Sequence, residues 1–256
     1  MQKTLKRKLK NSERTIGSWI TLGNTGIAEI MANAGFDWLV VDLEHSMISM
    51  DTAGELIRVI DLAGVTPLVR LTSNHPDQIK RVMDAGAHGI IVPMVNDKMN
   101  AEKAVEAVHY APQGNRGVGL ARAQGYGEQF KEYLEWQEDE PVVIVQIEHK
   151  DALSHLDAIL TVPGVDGFII GPYDLSCSLG IPGEFENAEF TEAMEKIKNT
   201  GLQLDVPSGM HIVEPDTEVL AQSFQDGYKF IAYSVDIRIL DVGSRRGLNC
   251  FKEFCR

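Results

Sequence analysis

Long apolar runs are missing from this sequence. None approaches the roughly 18 consecutive apolar residues that a membrane-spanning helix requires, so nothing in it is read as crossing a bilayer. Basic residues are in deficit as well: 24 Lys and Arg stand against 37 Asp and Glu, a net charge of −13. Nucleic acid and anionic membrane both demand a basic face, so neither is an expected partner. Cysteine is scarce. Cys177, Cys250 and Cys255 are an odd set in a chain of 256 residues, which excludes an even disulfide framework and reads as reduced thiols. The opening MQKTLKRKLKN is basic but has no apolar segment behind it, so it is not read as a secretory signal, and the expected location is cytoplasmic. Low-complexity stretches and linkers are also lacking, so residues 1–256 are expected to form one domain.

What is present is an alternation of two patterns. Short apolar runs predict strands at 16–22, 38–43, 66–71, 89–95, 142–147, 168–170, 202–206 and 228–234. Amphipathic segments predict helices at 25–34, 51–63, 75–85, 100–110, 129–137 and 152–161, after a short opening helix carrying Leu5 and Leu9. Asp51 is the expected N-cap of its helix, and Gly35, Gly64 and Gly86 are the expected stops. Residues 111–127, rich in Gly, read as a loop. Several strands are apolar on both faces, as in a covered parallel sheet. Eight strand–helix units in about 250 residues predict an α/β fold, a single (β/α)₈ TIM barrel, rather than an open sheet. An apolar tail (Leu240, Leu248, Phe251, Phe254) marks roughly 237–256 as a segment that packs on, or swaps with, a neighbouring subunit.

Ligands of such barrels sit beyond the carboxyl ends of the strands. Charged residues gather there: Asp42, Glu44 and His45 after the second strand, Arg70 at the end of the third, Gln146 and Glu148 after the fifth, Asp174 after the sixth. Side chains alternate along a strand, so Asp42 and Glu44 share one face, as do Gln146 and Glu148. Two carboxylates on neighbouring strands, Glu148 and Asp174, could hold one hard divalent cation through oxygen. Each residue also has a plain structural reading. An isolated Glu148 would be a solvated acid, Arg70 a stabilising ion-pair partner, His45 a hydrogen-bonded structural histidine, Glu44 a residue shaping the rim. His75 and His149 receive no task, Cys177 reads as a packed thiol, and the RGVG at 116–119 is not a phosphate loop, since no strand feeds it and no lysine follows.

Taken together, GSW at 17–19, AGFDWLVVDLEH at 34–45, PLVR at 67–70, VPMV at 92–95, RGVG at 116–119, QIEH at 146–149 and GPYDLSCSLG at 171–180 resemble the metal-dependent (class II) pyruvate aldolases of the HpcH/HpaI family. The resemblance spans essentially the whole chain and implies a barrel of the phosphoenolpyruvate/pyruvate type. It implies that Glu148 and Asp174 bind magnesium, manganese or cobalt, that His45 is the general base, and that Arg70 faces the enolate and keto oxygen. It implies that Asp42 and Asp84 orient the base, Asp84 across a subunit interface, and that Gln146 and the Tyr173 and Asp174 amides contact substrate. Trp19, Gly171 and Pro172 fall at the substrate by the same resemblance, which further implies a homo-oligomer, a hexamer.

The implied reaction cleaves a 4-hydroxy-2-oxo acid of the 2-keto-3-deoxy sugar acid type to pyruvate and an aldehyde. Elementary chemistry is consistent with those roles: the enolate left by carbon–carbon cleavage needs fixed positive charge, and an imidazole titrates near working pH. Two departures stand out. Tyr173 is bulky where relatives commonly carry a small residue, and 119–127 is shorter than in the heptanedioate-cleaving members, which argues against their long dicarboxylate substrate. The competing readings are a Schiff-base aldolase using Lys150, an acyl-CoA lyase, and a catalytically silent barrel that binds or assembles.

Overall fold

The structure is a computed structural model that describes residues 3–255. Eight strands close into one barrel: β1 (Thr15–Ile20), β2 (Trp38–Asp42), β3 (Thr66–Arg70), β4 (Gly89–Val92), β5 (Val142–Ile147), β6 (Gly167–Ile170), β7 (Ser208–Ile212) and β8 (Phe230–Val235). Each pairs in parallel with its successor, and β8 returns to β1. The expected (β/α)₈ barrel is therefore the observed fold.

The helices are α1 (Leu5–Lys10), α2 (Thr25–Asn33), α3 (Met50–Leu62), α4 (Pro76–Asp84), α5 (Lys98–Val108), α6 (Phe130–Asp139), α7 (Leu156–Leu160), α8 (Pro172–Ser178), α9 (Ala188–Gln203), α10 (Thr217–Gln225) and α11 (Asp236–Phe254). Gly35, Gly64 and Gly86 follow α2, α3 and α4 with φ of +96°, +80° and +100°, the left-handed stop read from the sequence. The α3 cap differs from expectation. Ser49, not Asp51, accepts a hydrogen bond from the Thr52 amide, and Asp51 lies in the first turn, where its charge complements the helix dipole.

Alternation along the strands divides the core into two shells. Outward residues such as Leu39, Val41, Val69, Ile90, Val143, Val145, Phe168 and Ile170 pack under the helices. Inward residues Trp38, Val40, Leu68, Ile91, Ile144, Ile169 and Phe230 fill the barrel, joined from below by Leu5 and Leu9 of α1. The Trp38 and Phe230 rings stack at 3.9 Å, and an added Cβ at Gly17 would lie 2.1 Å from a Trp38 ring carbon, so only glycine admits that indole. Further up, the same inward positions turn polar. Residues 38, 40 and 42 run Trp, Val, Asp; 68 and 70 run Leu, Arg; 144, 146 and 148 run Ile, Gln, Glu. An apolar plug thus supports a polar crown at the carboxyl ends of the strands.

The expected strand at 202–206 is not there. Residues 188–203 are α9, whose buried positions Phe190, Ala193, Ile197, Thr200 and Gly201 keep helical spacing. The seventh strand comes later, as Ser208–Ile212. Its sequence, SGMHI, hides a strand because its inward positions are taken by Gly209 and His211 rather than by apolar residues. The segment from 237 to Phe254 belongs to one helix, the 19-residue α11 that begins at Asp236. Residue 256, the last of the segment expected at 237–256, lies outside the described residues. Among the described residues no helix is long and apolar enough to cross a membrane.

Candidate active site

Asp42 and Arg70 are direct register partners at the ends of β2 and β3. Arg70 Nε and Nη2 donate to Asp42 Oδ1 and Oδ2 at 2.8 and 2.7 Å, a bidentate pair. The guanidinium also lies 4.4 Å above the Trp19 ring. Held on two sides, Arg70 turns its remaining nitrogen, Nη1, toward Glu44 Oε2 at 3.4 Å. Asp42 Oδ1 further accepts the amides of Glu44 and His45 at 3.0 and 3.3 Å, which folds the chain back after β2 and leaves the His45 side chain exposed. Within this chain Asp42 therefore contacts the backbone of His45 and not its ring. The acid nearest that ring is Glu44, whose Oε2 lies 3.9 Å from Nε2.

Glu148 is only 2 % exposed. Its Oε1 accepts the Met94 amide at 2.7 Å and its Oε2 accepts Gln146 Nε2. Met94 adopts φ +54°, a left-handed conformation rare for a non-glycine residue, and in that conformation its N–H meets the carboxylate. Burial pushes the Glu148 carboxyl up to about 7; the hydrogen bonds from Gln146 and Met94 oppose this, and the negative charges of Glu44 and Asp174 reinforce it. Glu44 is likewise pushed up to about 7 by burial, against the pull of Arg70 and with Asp42 and Asp174 adding to it.

Asp174 lies in the first turn of α8, just after the glycine that ends the β6 exit. That glycine is required. A Cβ on Gly171 would stand 2.8 Å from Glu148 Oε2 and 2.9 Å from Glu148 Cβ, so the chain passes directly over the buried carboxylate. Pro172, Tyr173 and Asp174 are the first three residues of α8, and the N–H groups of Tyr173 and Asp174 precede any intrahelical acceptor. Tyr173 is exposed, its ring edge-on to Phe185 at 5.0 Å.

These elements enclose a cavity of about 360 Å³ lined by Trp19, His45, Arg70, Gln146, Gly171, Pro172, Tyr173 and Asp174, with Ile169, Ile170, His211 and Val213. Every substrate residue expected from the sequence faces it. Glu148 lies behind Gly171 and Gln146. Asp84 does not join it: at the end of α4 it faces Arg116, with Oδ1 3.6 Å from Nη1. An orienting role for Asp84 is thus not served inside its own chain. Sequence reading missed two contributors. Met94 carried no signal, since its part is played by its backbone. His211 was concealed by the misplaced seventh strand; once that strand is set at 208–212, a histidine at its exit is legible.

The residues suit a divalent cation. The negative charges of Glu44, Glu148 and Asp174 act against one another, Arg70 offsets that of Glu44, and Glu44 Oε2 is closed to solvent with no hydrogen bond, Arg70 Nη1 standing 3.4 Å away. An all-oxygen donor set is what magnesium, manganese and cobalt accept. Among the described residues no group of three or more His, Cys, Asp or Glu converges on one point, so protein oxygens would fill only part of the coordination shell.

The model of the family described as HpcH/HpaI aldolase/citrate lyase matches residues 15–241. The chain is 40 % identical over 240 residues to a pyruvate aldolase of Rhizobium etli, covering 93 % of each. It is 38 % identical over 247 residues to a 4-hydroxy-2-oxo-heptane-1,7-dioate aldolase of Salmonella typhimurium, covering 95 % of this chain and 92 % of that one. Among solved structures, an HpcH/HpaI aldolase/citrate lyase family protein of Burkholderia cenocepacia superposes with a TM-score of 0.91 at 32 % identity, over 97 % of this chain and 98 % of the other. A barrel whose strand exits bring His45, Arg70 and Asp174 to one cavity, and whose sequence follows aldolases over more than nine-tenths of its length, is a carbon–carbon lyase belonging to the HpcH/HpaI aldolase/citrate lyase family.

Proposed function

We propose that the protein is a divalent-metal-dependent aldolase that reversibly cleaves a 4-hydroxy-2-oxo acid of the 2-keto-3-deoxy sugar acid type to pyruvate and an aldehyde. Glu148 and Asp174 would hold the cation, which when bound supplies Lewis-acid charge beside the 2-oxo acid. The amides of Tyr173 and Asp174 at the start of α8 take the substrate carboxylate, with the helix dipole favouring the anion. The Arg70 guanidinium presents fixed positive charge where the keto oxygen gains electrons as the C3–C4 bond opens. His45 accepts the C4 hydroxyl proton, the aldehyde leaves, and a proton returned to the enolate carbon gives pyruvate. Gln146 keeps Glu148 in place.

The observation that supports this reading best is the arrest of Arg70 by Asp42 and Trp19 on the same cavity as His45 and the α8 start. A guanidinium already fixed needs little reorganisation when charge develops beside it. The test is exchange of the pyruvate methyl protons with deuterium. Exchange is expected with added magnesium, manganese or cobalt and should vanish with chelator, as well as in Glu148→Ala and Asp174→Ala. His45→Ala should slow carbon–carbon cleavage by about two to four orders of magnitude. Near-normal turnover in any of the three would overturn that residue's role. Borohydride trapping with pyruvate should leave no adduct at Lys150, which sits in a 3₁₀ turn with its amide on Ser178 Oγ, outside the cavity lining.

A further inference from the structure

His211 is a cavity residue to which neither the family resemblance nor the reaction above gives a task. It sits at the exit of β7, its ring tilted against the Trp19 indole with centroids 5.3 Å apart, and it lines the same cavity as Arg70. Its Nε2 lies 3.3 Å from the Ser234 carbonyl oxygen. A carbonyl only accepts, so Nε2 carries the ring proton and Nδ1 is left with a lone pair. Among the described residues no hydrogen bond reaches that Nδ1. Ser234 holds φ +57°, a left-handed conformation at the end of β8, and its hydroxyl donates to the Val213 carbonyl, so the tautomer of His211 is dictated by a tightly held stretch of backbone. Beside it, Trp19 is 2 % exposed, and its Nε1–H is closed to solvent and meets no acceptor among the described residues.

The cavity therefore offers one unused acceptor, His211 Nδ1, and that acceptor carries no charge. A carboxylate would find nothing to offset it in the lone pair of a neutral imidazole, and an alkyl group would leave that nitrogen unpaired. A hydroxyl satisfies it by donating its proton. We infer that His211 Nδ1 reads a hydroxyl on the aldehyde half of the substrate, making His211 the residue that separates hydroxylated aldehydes from plain ones. Burial, with Arg70 adding its positive charge, holds the imidazole down to about 4, so it stays neutral at working pH and remains an acceptor. This inference rests on the aldolase reading above and adds the basis of its choice of aldehyde.

Two isosteric substitutions separate recognition from mere support. His211→Gln extends an amide to the position of Nε2, keeping the contact with Ser234 while removing the Nδ1 acceptor. His211→Asn places its amide oxygen near Nδ1 and gives up Ser234. The readout is the ratio of kcat/KM for glycolaldehyde to that for acetaldehyde in addition to pyruvate, a ratio that cancels differences in the folded fraction. The wild type should prefer glycolaldehyde. His211→Gln should lower the ratio by on the order of tenfold, the discrimination one hydrogen bond supplies, and His211→Asn should retain most of it. A ratio preserved in Gln and lost in Asn would show a structural role and overturn the inference, as would a wild type indifferent to the hydroxyl. Both leave the aldolase reading standing if pyruvate methyl exchange persists. Absence of that exchange in the wild type with added metal would instead overturn the aldolase reading itself, and the inference with it.

Discussion

Arg70 shows how a single side chain is made fit for electrostatic work. Its register partner Asp42 takes two of its donors, Trp19 takes its face, and the remaining nitrogen faces Glu44 while the side chain lines the cavity. A lysine could not form the bidentate fork and has no plane to stack on the ring, so Arg70→Lys is not a conservative change here. His211 makes the complementary case, a group kept uncharged. Its surroundings hold Arg70 and Asp42, the first of which lowers its proton affinity and the second of which raises it, with burial the largest influence. The sign follows from linkage. The unfolded chain protonates this imidazole near its ordinary value of about 6.5, the folded chain only at about 4, so between those values the unfolded state binds more protons. Stability from His211 is complete above about pH 6.5 and drains away as the pH falls toward 4. Thermal unfolding followed from pH 7 to 4.5 should show a steeper acid-side decline in the wild type than in His211→Asn; parallel declines would contradict it. Most of the charged residues of the site could be read from the sequence because each stands at a strand exit where a solvated helix surface would be the ordinary home for charge. His211 could not, because the strand that carries it was misplaced by several residues.

At the scale of elements, the site depends on close passage of one segment over another. The β6–α8 turn crosses Glu148 at a distance only glycine allows. In Gly171→Ala the new methyl must displace either the Glu148 carboxylate or the start of α8, both of which hold groups assigned to the cation and to the substrate carboxylate. Binding of manganese, followed by titration calorimetry, should weaken by about tenfold or more, the usual effect of disturbing what holds a ligand in place. The barrel should remain folded by circular dichroism. Unchanged manganese affinity would show that the turn has slack. The elements themselves were legible in proportion to how well their periodicity matched their surroundings. β2, β3 and β5 are apolar on the outward face and for most of the inward face, and their positions fell within a residue or two of expectation. β7 failed because Ser208, Gly209 and His211 serve the packed barrel and its mouth, while the apolar LQLDV before it is the close of α9 and the turn that follows.

For the whole molecule, the unsettled surface is that of α11. Its first turns contact β8 and β1, yet Ile237, Leu240, Leu248 and Phe251 lie along one face at helical spacing and are all exposed, as is Phe254. Val118 and Leu120, in the loop beyond Arg116, are exposed too. Apolar surface gathered in this way is what interfaces between chains commonly present, and a second copy of the chain is the partner the family resemblance implies. The full chain should sediment as a homo-oligomer, a hexamer by that resemblance, and removal of residues 243–256 should lower the oligomeric state while the barrel keeps its secondary structure. A monomer of 28.3 kDa at micromolar concentration would overturn the expectation. Asp84 supplies the sharper measurement. It stands outside its own cavity, paired with Arg116, and the role first expected for it lies across a subunit boundary. If sites are shared, Asp84→Ala and His45→Ala chains, each inactive alone, should recover part of the wild-type rate when refolded together, because some boundaries then join an intact Asp84 to an intact His45. Mixtures as inactive as their components would confine the chemistry to single chains and leave Asp84 as the ion-pair partner of Arg116.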